Sequence, residues 1–145
     1  MRGITSIGHV AIKVADIDRT LDFYVGKLGF EEMLRLDRDG RLWLLYLRIT
    51  DDQYLEVFPE AEGDRAPPKE ANGLNHVCLT VASIDDAVAQ LDRLGIPLTS
   101  PRKLGADGNM QAWIEDPDGN RIELMEMAPD CLQAQAISRM RAARA

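Results

Sequence analysis

The sequence predicts an α+β fold in which two tandem βαβββ modules form a cupped, eight-stranded mixed sheet. Three observations lead there. The chain repeats itself: "IGHVAIKVADIDRTLDFYVGKLGF" (7–30) lies over "LNHVCLTVASIDDAVAQLDRLGI" (74–96), and "YLEVF" (54–58) lies over "RIELM" (121–125), at an offset of 67 residues that slips to 66 where Leu28-Gly29 meets Leu94-Gly95. Each copy opens on apolar residues spaced by two and changes at once to helical spacing. Each copy then closes on short apolar runs, broken by turn-forming "DRDG", "TDDQ" and "DPDGN".

In the first strand Val10, Ile12 and Val14 point one way, toward a helix, which leaves His9, Ala11 and Lys13 on the opposite face. The helix follows with Ile17, Leu21, Tyr24, Val25 and Leu28 on one side and Asp18 able to cap its start. Strands are expected near Phe30–Leu36, Leu42–Ile49 and Tyr54–Phe58. The second copy sends Val77, Leu79 and Val81 inward and His76, Cys78 and Thr80 outward. Its helix uses Ile84, Val88 and Leu91 and is closed by Gly95. Module one thus spans 4–58 and module two 74–128, joined by the Pro-, Gly- and charge-rich linker 59–73 within one domain, 1–128. The segment 101–111 reads as a surface loop ahead of a lid. Residues 129–145 read as a C-terminal helix starting at Asp130, with Leu132, Ala136, Ile137 and Met140 on one side, suited to packing on its own domain or on a partner subunit.

Composition narrows the function classes. At 145 residues, 46% hydrophobic and 28% charged, the chain is long enough for one domain with a real core. A net charge of −7 opposes binding to phosphate backbones, and neither an 18-residue apolar run nor a basic-then-apolar leader is present. A cytoplasmic protein with no nucleic-acid or membrane partner is expected. Cys78 and Cys131 are too few for a disulfide framework and read as reduced thiols.

The chemistry-bearing residues come from strand parity. If the last hairpin pairs Glu115 with Arg121, Trp113 falls beside Glu123, and the same register in the first copy sets Tyr46 beside Glu56. Glu56 then shares a face with Tyr54 and Phe58, and Glu123 with Arg121 and Met125. A single histidine in a strand is ordinarily a residue without chemistry. Here, however, the chain's two histidines occupy equivalent repeat positions, and each precedes by 47 residues a glutamate that interrupts an apolar strand. Two carboxylates buried near one another are costly unless a positive charge compensates them. A divalent cation bound by two imidazoles and two carboxylates supplies that charge.

"GHVAIKVADIDRTLDFY", "LEVF", "LNHVCLTVASIDDAV" and "DPDGNRIELME" together resemble the vicinal oxygen chelate superfamily, which includes glyoxalase I, methylmalonyl-CoA epimerase, extradiol dioxygenases and bleomycin-resistance proteins. The resemblance covers the chain to about residue 128. It implies a glyoxalase-like cup around one divalent metal ion, here nickel, cobalt, zinc, manganese or iron, held by His9, Glu56, His76 and Glu123. The His, Glu, His, Glu set is most similar to that of glyoxalase I (lactoylglutathione lyase). This implies a metal-dependent lyase or isomerase acting on a hemithioacetal-like small molecule, with Glu123 the first choice as base and Glu56 the candidate for the opposite face.

Substrate would meet Lys13, Tyr46, Phe58, Cys78, Trp113 and Arg121. Two departures set themselves against glutathione as the thiol. Lys13 replaces an arginine fork, and Glu60 replaces an asparagine with a second negative charge. The other classes in view are an epimerase, which would favour Gln at position 56; an extradiol dioxygenase, which needs only one carboxylate on iron; and a non-catalytic bleomycin-resistance-like protein using Trp43, Tyr46, Phe58 and Trp113 to bind an aromatic ligand. A homodimer is expected, because curved sheets of this size leave apolar edges to cover.

Overall fold

The computed structural model describes residues 3–144. Within these residues it holds two compact units, one comprising 3–68 with Asp116–Gly119, the other Lys69–Glu115 with 120–144. Unit 1 runs β1 (His9–Lys13), α1 (Ile17–Leu21), β2 (Glu31–Arg38), β3 (Arg41–Thr50) and β4 (Gln53–Phe58). Unit 2 runs β5 (Val77–Thr80), α2 (Ile84–Arg93), β6 (Ser100–Leu104), β7 (Met110–Glu115), β8 (Arg121–Glu126) and α3 (Leu132–Ala142). Both are βαβββ units, in the α+β class that the repeat predicts. The eight strands hydrogen-bond as two four-stranded mixed sheets, β1-β4-β3-β2 and β5-β8-β7-β6, and each contains one parallel pair, β1 with β4 or β5 with β8.

Local chemistry explains most boundaries. Asp16, not Asp18, caps α1: its carboxylate accepts from the backbone N–H groups of Asp18 and Arg19, while Asp18 lies within the first turn. The helix widens at Asp22–Lys27 into a π-helical turn, in which the Leu28 N–H reaches the Phe23 carbonyl five residues back at 2.9 Å. The β2–β3 hairpin turns on Asp39 and Gly40, both at positive φ, as a two-residue turn matching strand twist requires. Ser83 caps α2 by accepting from the Asp86 N–H.

Much of the segment 101–111 is strand rather than loop, and only residues 105–109 turn. The turn is closed by Gly105 N–H to the Asn109 carbonyl at 2.7 Å. Asn109 is fully buried, donates to Asp107 and Gln133, and accepts from the Ala128 N–H. These bonds and Leu132 N–H to the Asp107 carbonyl fix the start of α3, which begins at Leu132 because Cys131 Sγ accepts from the Ala134 N–H.

Each core lies between its helix and one face of its sheet. Val14, Phe23, Tyr24, Leu45, Leu47, Leu55 and Val57 are buried in unit 1, and Ile84, Leu91, Ile96, Ala112, Ile114, Ile122 and Leu124 in unit 2. Burying each aliphatic or aromatic chain contributes about 1.5–3 kcal/mol.

Unit 1 also takes in the turn Asp116–Gly119. Asp116 Oδ2 accepts from the Tyr24 hydroxyl at 2.9 Å, Asp118 Oδ1 accepts from the Ala15 N–H at 3.0 Å, and the Asp118 carbonyl accepts from the Ala66 N–H at 2.7 Å. Burial first, and the Asp116 charge second, push the Tyr24 phenol well above its ordinary ionisation range. At Gly119 the φ of +80° suits glycine, and the Arg65 side chain packs where a Cβ would stand.

Candidate metal centre

In unit 1 the parallel β1–β4 pair sets Ala11 opposite Glu56 and Lys13 opposite Phe58, and the antiparallel β3–β4 pair sets Tyr46 opposite Glu56. Leu55 and Val57 point to the helix, so Glu56 is thrown onto the other face with His9. Glu56 is nonetheless 9% exposed, a burial that a carboxylate tolerates only with partners. It has two. His9 Nε2 lies 3.4 Å from Oε2, and the Tyr46 hydroxyl donates to Oε1 at 2.5 Å. The His9 ring stands edge-on to Tyr46, with centroids 5.9 Å apart. The bond to Glu56 raises the Tyr46 phenol above its ordinary range, since ionising it would set two negative charges together.

In unit 2 the same register recurs, with Cys78 and Trp113 opposite Glu123. His76 immediately precedes β5, and its Nε2 lies 3.1 Å from Glu123 Oε2. Glu123 is also 9% exposed. Behind the imidazole stands Asn75, whose Oδ1 is 3.0 Å from His76 Nδ1. With the proton on Nδ1 the ring donates there and presents its Nε2 lone pair toward Glu123. Asn75 is itself held, its Nδ2 donating to the Lys69 carbonyl and its own carbonyl accepting from the Arg121 guanidinium. The Trp113 indole packs edge-on to His76 with centroids 4.8 Å apart, and its N–H donates to Gln111 Oε1 at 2.7 Å. Burial, then the Glu123 charge and hydrogen bond, push the Cys78 thiol up to about 11, which keeps it protonated and a poor nucleophile.

The structure therefore brings together His9 with Glu56 and His76 with Glu123 as two matching pairs. Among the described residues no three His, Cys, Asp or Glu side chains are gathered to hold a metal by themselves. The expected neighbours fall into two groups. Tyr46, Trp113 and Cys78 adjoin the carboxylates. Lys13 and Phe58 continue the same face of unit 1, where Phe58 meets Trp43 edge-on at 6.5 Å and the Arg38 guanidinium lies 3.7 Å over the Trp43 ring. Arg121 anchors the Asn75 backbone. Sequence reasoning missed Asn75 and Gln111. A polar residue just before the second histidine was the available signal for Asn75; for Gln111 it was strand parity, which puts it on the face of Trp113.

Residues 6–124 match the family model described as Glyoxalase/Bleomycin resistance protein/Dioxygenase superfamily. The chain is 34% identical over 125 residues to the uncharacterized protein YwkD of Bacillus subtilis, covering 85% of this chain and 98% of that protein. It is 26% identical to the lactoylglutathione lyase of Pseudomonas putida, covering 83% and 84%. The crystal structure of a glyoxalase family protein from Enterococcus faecalis superposes with a TM-score of 0.74 at 33% identity, over 83% of this chain and 97% of that one. No helix among the described residues is long and apolar enough to cross a membrane. The chain belongs to the glyoxalase/bleomycin resistance/dioxygenase superfamily.

Proposed function

We propose that this protein is a metal-dependent lyase or isomerase of the glyoxalase I type, removing a proton from carbon next to a carbonyl of a hemithioacetal-like substrate. The observation that carries this reading is the recurrence, in each unit, of a nearly buried glutamate with a histidine Nε2 at 3.1–3.4 Å, set between two buried aliphatic residues of its strand. Two imidazole nitrogens and two carboxylate oxygens form a donor set that fits a borderline divalent cation, nickel, cobalt, zinc, manganese or iron. His9, Glu56, His76 and Glu123 would hold it. When bound, such a cation supplies Lewis acidity that makes a proton beside a chelated carbonyl easier to remove.

The chain's own groups do the rest. Glu123 accepts the proton at a carboxylate oxygen while the C–H electron pair moves toward the adjacent carbonyl; returning that proton to the former carbonyl carbon, as the hydroxyl proton of the first carbon passes to the former carbonyl oxygen, completes an isomerisation that needs no oxidant. Trp113, Phe58 and Trp43 offer apolar surface that excludes water from the reacting carbon, and Lys13 offers a positive charge to an anionic end of the substrate.

Elemental analysis of protein purified without added metal, followed by proton exchange in deuterated water with hemithioacetals of several thiols, tests the reading. One divalent ion per site and deuterium in the product are expected. A chain that keeps its metal, binds such ligands and exchanges none of them is a sequestering module, and the enzyme reading fails.

A further inference from the structure

Tyr46 and Trp113 stand at equivalent places in the repeat, each directly across the strand pair from its carboxylate. They treat that carboxylate differently. The Tyr46 hydroxyl donates to Glu56 Oε1 at 2.5 Å while His9 lies on Oε2, so both oxygens of Glu56 are engaged. The tyrosine ring is braced in turn by the edge of His9. In unit 2 the Trp113 N–H is spent on Gln111, two residues along its own strand. Glu123 meets His76 on one oxygen and otherwise has the Cys78 thiol, a far weaker donor than a phenol.

Resting on the assignment of His9, Glu56, His76 and Glu123 as ligands, we infer that Tyr46 is a positioning residue that makes the two carboxylates unequal. It clamps Glu56 as a stationary ligand and leaves Glu123 as the carboxylate with freedom to turn an oxygen onto the substrate. To accept a proton from carbon, a carboxylate must rotate a lone pair onto the C–H bond. Glu56 could do so only by breaking a short, cross-strand hydrogen bond. Glu123 has no such bond to break among the described residues. The preference for one face of the substrate therefore follows from a single hydroxyl group, at a position where the repeat substitutes an indole.

Cobalt(II) titration of the whole chain, followed by visible absorption, tests this with Tyr46→Phe and, as a matched loss of a phenol on the same sheet, Tyr54→Phe, whose hydroxyl donates to the Asp51 carbonyl. Tyr46→Phe is expected to raise the cobalt Kd about ten- to a hundredfold, as loss of a group orienting a ligand does. Tyr54→Phe is expected to leave it within about threefold of the parent value, below that range. At saturating cobalt, Tyr46→Phe is also expected to let deuterium enter from both faces of the reacting carbon, where the parent protein uses one. Should Tyr46→Phe fail to fold, Tyr46→Trp installs the residue that unit 2 already carries and removes the same donor. A Tyr46 variant that binds cobalt within about twofold of the parent and keeps its one-faced exchange overturns the inference while leaving the ligand assignment intact. A parent protein that binds no cobalt overturns both.

Discussion

The two units carry the same imidazole–carboxylate pair at the same register and differ in what stands behind it. In unit 1 the support is given to the carboxylate, through Tyr46, while His9 follows Gly8 and has no preceding side chain to steady its ring. In unit 2 the support is given to the imidazole, through Asn75, while Glu123 faces an indole whose N–H is turned elsewhere. On the proposed ligand assignment, the repeat would keep its metal donors unchanged and still give the chemistry to one copy, by changing the groups that orient them.

The sharpest way to break this contrast is to neutralise each carboxylate in turn. Glu123→Gln should slow deuterium exchange on the order of a hundredfold or more, because an amide keeps the shape but cannot take the proton. Glu56→Gln should act chiefly through lost metal occupancy, recoverable at high metal concentration. If excess metal rescues Glu123→Gln instead and leaves Glu56→Gln inactive, the roles are reversed.

Ligand pairing is probed by mixing and reannealing His9→Ala with His76→Ala chains. Each alone should bind no metal tightly. In a dimer whose sites take one pair from each copy, about a quarter of the sites in the mixture regain all four ligands. Recovery read by bound metal is expected, and a mixture as empty as its parts would place all four ligands in one chain.

Support for the imidazole is smaller in effect. Asn75→Ala should weaken metal binding by about tenfold, near the low end for an orienting partner, and an unchanged affinity would leave Asn75 a purely structural link to Lys69 and Arg121. Smaller again is a pH effect confined to unit 1. Tyr24 and Leu91 hold the same place in the repeat and both are buried, but only Tyr24 adds a phenol, bonded to Asp116. Because its ionisation is raised in the folded chain, its contribution to stability is complete below pH 10.0, the ordinary tyrosine value, and is lost as pH climbs beyond it. Tyr24→Phe should cost about 1–2 kcal/mol near neutrality and flatten that alkaline decline in a denaturation series, whereas an unaltered alkaline slope would assign the decline to other groups.

How much of this was legible depends on the range of the interaction. The pairing of Glu56 with Tyr46 and of Glu123 with Trp113 followed from period-two alternation and one hairpin register, both local properties of the chain. The α1 cap was misassigned by two residues because Asp16 and Asp18 carry the same side chain, and only the backbone angles of Asp16 distinguish them. β6 was hidden because "SPRKL" lacks alternation and carries a proline, which an edge strand tolerates and a sequence pattern reads as loop. Asn75 and Gln111 act through side-chain direction, which composition does not encode. The transfer of Asp116–Gly119 into unit 1 was beyond any local pattern, since its partners lie 92 and 103 residues away.

That turn has a consequence for the order in which the chain matures. As synthesis proceeds from the N-terminus, β1 to β4 are complete at Phe58, yet the Tyr24 hydroxyl and the Ala15 N–H still lack the acceptors that reach them from Asp116 and Asp118. The first unit thus waits, with a phenol it cannot bury at full advantage, until β5, α2, β6 and β7 of the second have emerged. Nascent chains arrested before Asp116 should be cut by protease within residues 9–58, and chains extended past Gly119 should become resistant there in a single step. Duplicated though its halves are, the molecule is expected to finish folding as one cooperative event, closed by a four-residue turn from its far end.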